Sequence, residues 1–328
     1  MPASLPAPKI DRNRIFLPDN PRPALTKPKK KKKNMARLVR QTIQILEMIK
    51  FSHTLFALPF AIMGGALAVS RPGVVIHGIK PWAGILVCMI GARSAAMAFN
   101  RLADRHFDAR NPRTATRHLP SGALSARSVT LFCLVASAVF VCGTAIFLPE
   151  NPWPIRLSIP VLLWLGGYSL AKRFTSMAHV WLGLALGMAP AAAWVAFRGE
   201  LSMPPVLLGL AVTCWVSGFD ILYACQDYEF DQRAGLHSIP ARFGIARSLN
   251  LASILHFLMI LMLIGVGVQM PMGPIYFGGV GAVAILLLYE HSLVKPDDLS
   301  KVNQAFFQVN ILISTGLLLM TIADLWLL

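Results

Sequence analysis

Long apolar segments alternate with short polar segments along most of the chain. A helix needs about 20 residues to cross the hydrocarbon core of a bilayer, and nine of the apolar segments are close to that length. They cover residues 51–70, 82–100, 128–148, 155–171, 177–197, 204–224, 249–270, 273–290 and 304–326. The pattern therefore predicts an all-α, polytopic membrane protein with nine transmembrane helices.

The basic residues between these segments are unevenly distributed. If the N-terminus lies inside, the loops after spans two, four, six and eight lie on the cytoplasmic side. Those loops contain Arg101, Arg105, Arg110, Arg113, Arg117, Arg127, Lys172, Arg173, Arg233, Arg242, Arg247, Lys295 and Lys301. The opposite loops contain only Arg71, Lys80, Arg156 and Arg198. Because cytoplasmic loops are enriched in Lys and Arg, we expect nine spans in the inner (plasma) membrane, with the charged side facing the cytoplasm.

The composition agrees with a membrane protein, since 55% of the residues are hydrophobic and only 14% are charged. The net charge of +16 comes in large part from the N-terminal region, where residues 29–33 are five consecutive lysines. A polybasic stretch before a first membrane helix marks the cytoplasmic side or attracts anionic lipid. The sequence contains no module of basic and aromatic residues of the kind that binds nucleic acid, so nucleic acid is not an expected partner. We expect residues 1–37 to form a disordered basic cytoplasmic tail and residues 38–328 to form one membrane domain.

Two groups of polar residues follow predicted spans at helical spacing. The first group, at positions i, i+4 and i+8, consists of Asn100, Asp104 and Asp108. The second group, at i, i+3, i+7 and i+11, consists of Asp220, Tyr223, Asp227 and Asp231. If the helices continue, each group lies on one helical face. Both groups fall on the predicted cytoplasmic side, which predicts that they act together.

Carboxylates packed this closely repel one another, and a divalent cation removes that conflict. Mg²⁺ prefers oxygen ligands and commonly binds one or two carboxylates together with substrate phosphates. The basic residues interleaved with the two groups suit the remaining phosphate charge; they are Arg105, Arg117, Lys172 and Arg173. The pattern therefore predicts a site for Mg²⁺ and a diphosphate.

Two other functions account for part of this pattern. A divalent-cation transporter or channel also places acidic clusters at helix ends, but it has no evident need for the adjacent Lys172 and Arg173. It also needs polar residues along a path through the membrane, whereas most spans are apolar well beyond the predicted cytoplasmic mouth. A non-catalytic membrane scaffold leaves both acidic groups unexplained.

At these residues the chain resembles the UbiA superfamily of intramembrane prenyltransferases. The stretch "NRLADRHFD" at 100–108 matches the family motif N-x-x-x-D-x-x-x-D, and "DILYACQDYEFD" at 220–231 matches its second aspartate motif. Four flanking stretches are similar as well: "FSHTLFALPFAIMG" at 51–64, "RTATRHLPSGALS" at 113–125, "YSLAKRFT" at 168–175 and "GLHSIPARFG" at 235–244. The resemblance covers about residues 38–328.

The resemblance implies nine transmembrane helices around a central cavity. It also implies Mg²⁺-dependent transfer of a polyprenyl group from polyprenyl diphosphate to an aromatic acid within the lipid bilayer. Many 4-hydroxybenzoate enzymes of the family have Asp at the position of Arg101, whereas the Asn-Arg form followed by "NPRT" is more like relatives in menaquinone assembly. The acceptor implied is thus 4-hydroxybenzoate or a dihydroxynaphthoate, in ubiquinone or menaquinone biosynthesis, and haem or chlorophyll prenylation is the alternative within the family.

The resemblance also implies roles for the candidate residues. The metal ligands are expected to be Asp104, Asp108, Asp227 and Asp231, with Asn100 and Asp220 in support. Lys172 and Arg173 are expected to bind phosphate oxygens as the allylic bond breaks. Asp220 or Tyr223 is expected to orient the acceptor.

Arg93 lies seven residues before Asn100, on the same helical face. It is a candidate for binding the acceptor carboxylate or the diphosphate, and the alternative is an arginine that reaches toward the membrane surface. Expected wall residues are Phe51, Phe56, Phe99 and Tyr168.

Overall fold

The computed structural model describes residues 30–49 and 57–327, and this part of the chain is helical with short connections. The helices are α1 (Lys30–Met48), α2 (Leu58–Val69), α3 (Lys80–Arg110), α4 (Ala126–Ala145), α5 (Trp153–Ala171), α6 (Ala178–Arg198), α7 (Met203–Ala224), α8 (Tyr228–Arg233), α9 (Ile239–Phe243), α10 (Ile245–Gln269), α11 (Pro274–Leu293), α12 (Val302–Gln304) and α13 (Asn310–Leu327). A 3₁₀ turn, Cys225–Asp227, joins α7 to α8, and a π-helical turn, Ala305–Val309, joins α12 to α13.

The described residues confirm the all-α fold, and they contain eight helical runs long and apolar enough to cross a membrane. These eight runs correspond to the second to ninth predicted spans. The first predicted span corresponds to the shorter apolar helix α2, and residues 51–56 of that span lie outside the described residues. The chain is therefore an integral membrane protein.

The predicted tail, residues 1–37, lies outside the described residues except at its end, where α1 begins at Lys30. Among the described residues, those from Lys30 to Gln41 belong to one unit, and those from Thr42 onward belong to a second. In the second unit, Met48 and Ile49 at the end of α1 pack with Ala98, Leu124 and Val129. The boundary between tail and membrane domain remains a prediction.

The most buried of the membrane helices is α7, which packs against α6 and α10. Its contact with α6 depends on small residues. A Cβ added at Gly183 would lie 2.3 Å from a side-chain oxygen of α7, and one added at Gly187 would lie 2.4 Å from the carbonyl oxygen of Gly209. Small residues of this kind let membrane helices approach closely, and here they fix α7 beside the site described below.

The two polar groups differ in their local structure. Helix α3 continues ten residues beyond the end of its apolar segment, so Asn100, Asp104 and Asp108 share one face as predicted. The second group does not lie on one regular helix, because the chain tightens into the 3₁₀ turn that contains Asp227. A 3₁₀ turn has 3.0 residues per turn rather than 3.6. The side chains of Asp227 and Asp231 therefore point in other directions relative to Asp220 than they would on one continuous α-helix.

Candidate active site

A cavity of about 610 Å³ opens within the helix bundle, and most of its lining residues come from α3, α5, α6 and α7. It runs from Asp231 and Leu236 at one end of the bundle to Pro154 and Leu201 at the other. Twelve of the thirteen predicted site residues line it: Arg93, Asn100, Asp104, Asp108, Arg117, Tyr168, Lys172, Arg173, Asp220, Tyr223, Asp227 and Asp231. The fold thus brings both acidic groups to one cavity.

Arg105 is the predicted site residue that the fold does not bring to the cavity. Its side chain is exposed, and its Nε donates a hydrogen bond to Nε2 of His106 at 3.1 Å. Successive helical residues point about 100° apart, so the neighbour of Asp104 faces elsewhere. Phe99 is also exposed and outside the lining. Phe51 and Phe56 lie outside the described residues.

Asp227 is held by the loop that follows α3. Nε of Arg113 donates to Oδ1 of Asp227 at 2.9 Å, and Nη2 of Arg113 donates to the other carboxylate oxygen. Asn111 donates to Oδ1 as well, at 3.0 Å, and Nη1 of Arg113 donates to the hydroxyl of Tyr223 at 3.1 Å. Burial opposes the charge on Arg113, but its bonds to Asp227 raise the pKa of the guanidinium above its ordinary value. The result is a bidentate ion pair across two elements.

The same loop also pairs with the first acidic group. Nη1 of Arg117 donates to Oδ1 of Asp108 at 2.7 Å, and the hydroxyl of Thr114 donates to the backbone carbonyl of Asp108. The second carboxylate oxygen of Asp108 is buried and has no hydrogen-bond partner. Arg101, only 8% exposed, lines the cavity beside them. One buried acceptor in this group therefore remains available to a ligand.

Two basic residues at the end of α5 lie close to Asp104 and Asp231. Nη2 of Arg173 lies 3.4 Å from Oδ1 of Asp104, whose other oxygen accepts from Asn100 at 3.0 Å. Nζ of Lys172 lies 3.6 Å from Oδ2 of Asp231. That oxygen is buried and has no hydrogen-bond partner. Each of these carboxylates thus has a cation nearby, and the pairing with Asp231 is the looser one.

Among the described residues, no three His, Cys, Asp or Glu side chains converge closely enough to hold a metal ion. The donor chemistry nevertheless fits a hard divalent cation. The two groups present oxygen atoms to the cavity, mostly of carboxylates, and each group contains one buried carboxylate oxygen without a hydrogen bond, on Asp108 and on Asp231. Such oxygen ligands are those that Mg²⁺ prefers.

Asp220 has a different partner from the other carboxylates. Its Oδ2 lies 2.7 Å from Nδ1 of His179, and Nε2 of His179 lies 3.3 Å from the backbone nitrogen of Ile239. The His179 side chain is fully buried, whereas that of Asp220 is 19% exposed toward the cavity. An imidazole rather than a guanidinium therefore orients this carboxylate.

The rest of the cavity is apolar. Its wall includes Leu157, Val161 and Leu165 of α5 and Leu182 and Leu186 of α6, together with the aromatic ring of Tyr168. Arg93 lines this region, and its buried Nε has no hydrogen-bond partner. A charged group in an apolar cavity requires a partner, so Arg93 is placed to receive an anionic group of a ligand.

Sequence reasoning missed four polar residues of the site. Asn111 and Arg113 belong to the "NPRT" stretch, whose proximity to the first acidic group was the available signal. Arg101 was noted only as a departure from a motif. His179 is a single histidine at the start of an apolar span, and nothing in its sequence context indicates its contact with Asp220.

A model of the UbiA prenyltransferase family matches residues 57–312 of the chain. Among curated relatives, a 4-hydroxybenzoate octaprenyltransferase from Methylobacillus flagellatus is 33% identical over 218 residues, which are 66% of this chain and 72% of that protein. A 4-hydroxybenzoate octaprenyltransferase from Vibrio parahaemolyticus is 31% identical over 252 residues, which are 75% of this chain and 87% of that protein.

Solved structures with the same fold include the apo structure of a UbiA homologue from Aeropyrum pernix K1. The TM-score is 0.74 at 29% identity, and the match covers 83% of this chain and 98% of that chain. A UbiA homologue from Archaeoglobus fulgidus, bound to DMAPP and Mg²⁺, has a TM-score of 0.65 at 20% identity, covering 87% of this chain and 100% of that chain. The second likeness concerns the fold alone.

Proposed function

The chain belongs to the UbiA prenyltransferase family, and from this premise we propose that it transfers a polyprenyl group from polyprenyl diphosphate to an aromatic acid in a Mg²⁺-dependent reaction. The observation that carries the proposal is the division of one cavity into two parts. Acidic and basic side chains from α3, α5 and α7 surround one end, and apolar side chains surround the rest. A diphosphate and a hydrocarbon chain require these two environments.

The polar end would bind the metal and the diphosphate. Asp104, Asp108, Asp227 and Asp231 would hold Mg²⁺ with the support of Asn100, and the metal when bound supplies Lewis-acid stabilisation of charge on the leaving diphosphate. The structure of the Archaeoglobus fulgidus homologue bound to DMAPP and Mg²⁺ supports the use of Mg²⁺ with a prenyl diphosphate, and the assignment of these residues rests on their place in the cavity.

The bases that pair with these carboxylates would then change partners. Arg117, Lys172 and Arg173, together with Arg113, line the cavity and carry the charge that diphosphate oxygens attract. When the carboxylates bind metal, the freed cations would bind phosphate. Breaking of the allylic C–O bond leaves its electron pair on diphosphate, and these cations stabilise that charge as it develops.

The acceptor would bind between the diphosphate and the apolar wall. Arg93 would bind the carboxylate of the aromatic acid through its unpartnered buried Nε. Asp220 would accept a hydrogen bond from the phenolic hydroxyl and receive the ring proton after the new C–C bond forms. Tyr223, which accepts a hydrogen bond from Arg113, would link the two parts of the site.

The apolar wall would exclude water from the allylic cation. Tyr168 presents an aromatic ring to the cavity, and aromatic faces attract cationic carbon. The polyprenyl tail would remain among apolar side chains and lipid. The uneven distribution of Lys and Arg between the loops on the two sides supports a location in the inner membrane, with the polar end of the cavity facing the cytoplasm.

The acceptor is proposed to be 4-hydroxybenzoate, and a dihydroxynaphthoate is the second candidate. Curated relatives named 4-hydroxybenzoate octaprenyltransferase favour the first. The Asn100–Arg101 pair, resembling menaquinone-pathway relatives, favours the second, and Arg101 lies in the cavity lining.

A product assay in isolated membranes tests the proposal. Membranes that contain the protein are supplied with labelled polyprenyl diphosphate, Mg²⁺ and one of the two acids, and lipid products are identified by mass. Membranes with the Asp227→Ala variant serve as the control. A prenylated acid in one assay only identifies the acceptor. If folded protein makes no product with either acid, the proposed reaction is wrong, and absence of diphosphate binding would favour cation transport instead.

A further inference from the structure

The fully buried imidazole of His179 contacts Asp220 and is not part of the cavity lining, whereas Asp220 is. It belongs to the first turn of α6, whereas Asp220 lies near the end of α7. The contact between Nδ1 and Oδ2, at 2.7 Å, joins the two helices at the level of the acceptor site.

The other ring nitrogen determines the tautomer of His179. A backbone N–H can only donate, so Nε2 of His179 must accept the hydrogen bond from Ile239 at 3.3 Å. In a neutral imidazole whose Nε2 is an acceptor, the proton is on Nδ1. His179 therefore donates Nδ1–H to Asp220 and supplies a directed hydrogen bond without supplying a positive charge.

The surroundings hold the ring in place. The hydroxyl of Ser217, one turn before Asp220 on α7, donates to the carbonyl of Thr213 at 2.7 Å and lies 3.2 Å from the backbone carbonyl of His179. The segment that carries Ile239 is itself tied to the end of α5, because the backbone nitrogen of His237 donates to the carbonyl of Lys172 at 2.7 Å. The backbone nitrogen of Ile239 thus contacts one side of the imidazole, and the other side of the ring contacts one oxygen of Asp220.

We infer that His179 is a positioning residue that holds Asp220 in the orientation in which it contacts the aromatic acceptor; this inference rests on the proposed function. Four acidic residues of the site are paired with Lys or Arg, which a diphosphate attracts away. Asp220 is paired instead with a neutral donor outside the cavity lining. Its orientation therefore stays the same when the cationic side chains change partners.

The test compares two substitutions of His179 in the full-length protein in nanodiscs. In His179→Asn the side-chain amide nitrogen replaces Nδ1 as a donor, whereas His179→Leu removes the donor at similar volume. We expect His179→Leu to lower kcat/KM for the aromatic acid 10- to 100-fold, the range typical of residues that orient a functional ligand. The KM for polyprenyl diphosphate should stay within about twofold, and His179→Asn should recover most of the loss.

A double-mutant cycle separates positioning from a general effect on folding. If His179 acts through Asp220, adding His179→Leu to Asp220→Asn should change the rate by less than about threefold. His256→Asn is the control, since the His256 ring is also buried and also contacts a backbone group, the carbonyl of Trp215, but His256 lies outside the cavity lining and does not contact Asp220. It should lower thermal stability without changing the two KM values.

Three kinetic outcomes would each overturn the inference. They are a wild-type kcat/KM in folded His179→Leu, an equal loss in His179→Asn and His179→Leu, or additive effects in the double mutant. The ¹⁵N chemical shifts of His179 test the tautomer independently of activity, and a protonated Nε2 would also overturn it. Failure of the wild-type protein to prenylate either acid would instead contradict the proposed function, and the tautomer measurement would still be informative.

Discussion

If Asp227 binds Mg²⁺ as proposed, Arg113 competes with the metal for this carboxylate, and we expect Arg113→Gln to tighten the binding of Mg²⁺ measured in the absence of diphosphate. In the structure the guanidinium donates to both carboxylate oxygens of Asp227. A metal that binds this carboxylate must displace at least one of those bonds. Glutamine keeps much of the length of the side chain but lacks the charge and the paired donors.

The size of the effect follows from the ion pair. A hydrogen bond to a charged group contributes about 1.5–3 kcal/mol to stability. The Arg113 and Asp227 side chains are 31% and 11% exposed, so solvent weakens their attraction and the lower part of that range applies. About 1.4 kcal/mol corresponds to roughly a tenfold change in a dissociation constant. We therefore expect Mg²⁺ to bind about tenfold more tightly to the variant, and a diphosphate analogue to bind about tenfold more weakly.

Isothermal titration calorimetry of the protein in nanodiscs measures both affinities. Mg²⁺ is titrated with and without a non-reactive thiodiphosphate analogue of the prenyl donor. Arg105→Gln is the control, because it removes the same charge from an exposed side chain outside the cavity. An equal gain in Arg105→Gln would show that only net charge matters. An unchanged or weaker Mg²⁺ affinity in Arg113→Gln would refute the competition.

Further substitutions test other parts of the site and the fold. Asp104→Ala or Asp227→Ala should abolish product formation in a membrane that still contains folded protein, as should excess EDTA with the wild type; full activity in any of these assays would contradict the role of metal. Arg93→Ala should raise the KM for the aromatic acid about tenfold or more and leave that for the polyprenyl diphosphate unchanged, because a carboxylate loses its charged partner; an unchanged acceptor KM would remove this assignment. Gly64→Ala should lower the free energy of unfolding by about 1–3 kcal/mol, since the added Cβ would lie 2.3 Å from a backbone oxygen of α6. A Cβ added at Gly281 meets nothing within 4 Å, so Gly281→Ala should be tolerated. Equal thermal stability of the two variants would contradict this packing.

The hydrophobic pattern predicted the membrane helices well because burial in lipid acts on every residue of a span. The boundaries were less accurate where a helix leaves the apolar region. Helix α3 continues to Arg110, and α10 begins at Ile245, because intrahelical hydrogen bonds extend a helix in water as well as in lipid. Hydropathy alone contains no signal for those extensions.

The helical spacing of the aspartates predicted which carboxylates reach the cavity, but not their partners. Arg113 and Asp227 are 114 positions apart in the chain, and their contact depends on how the loop after α3 folds back. The same loop explains why Arg113 and Arg117 reach the carboxylates while Arg105, on the helix, does not. The spacing of residues along one helix determines which side chains share a face, whereas ion pairs between different elements depend on tertiary structure.

The pairing of carboxylates with basic side chains distinguishes between two functions that the sequence left open, prenyl transfer and transport of a divalent cation. A site for a bare divalent cation needs carboxylates that are free to bind it, yet Asp227 and Asp108 are each bound by an arginine. A metal alone would leave those arginines unpaired in a partly buried cavity, and a diphosphate alone would leave the carboxylates unpaired. The two ligands together would give both sets of charges new partners, because the metal would bind the carboxylates and the phosphates would bind the basic side chains. The arrangement therefore favours joint binding of metal and diphosphate, which a prenyl transferase requires and a cation channel does not.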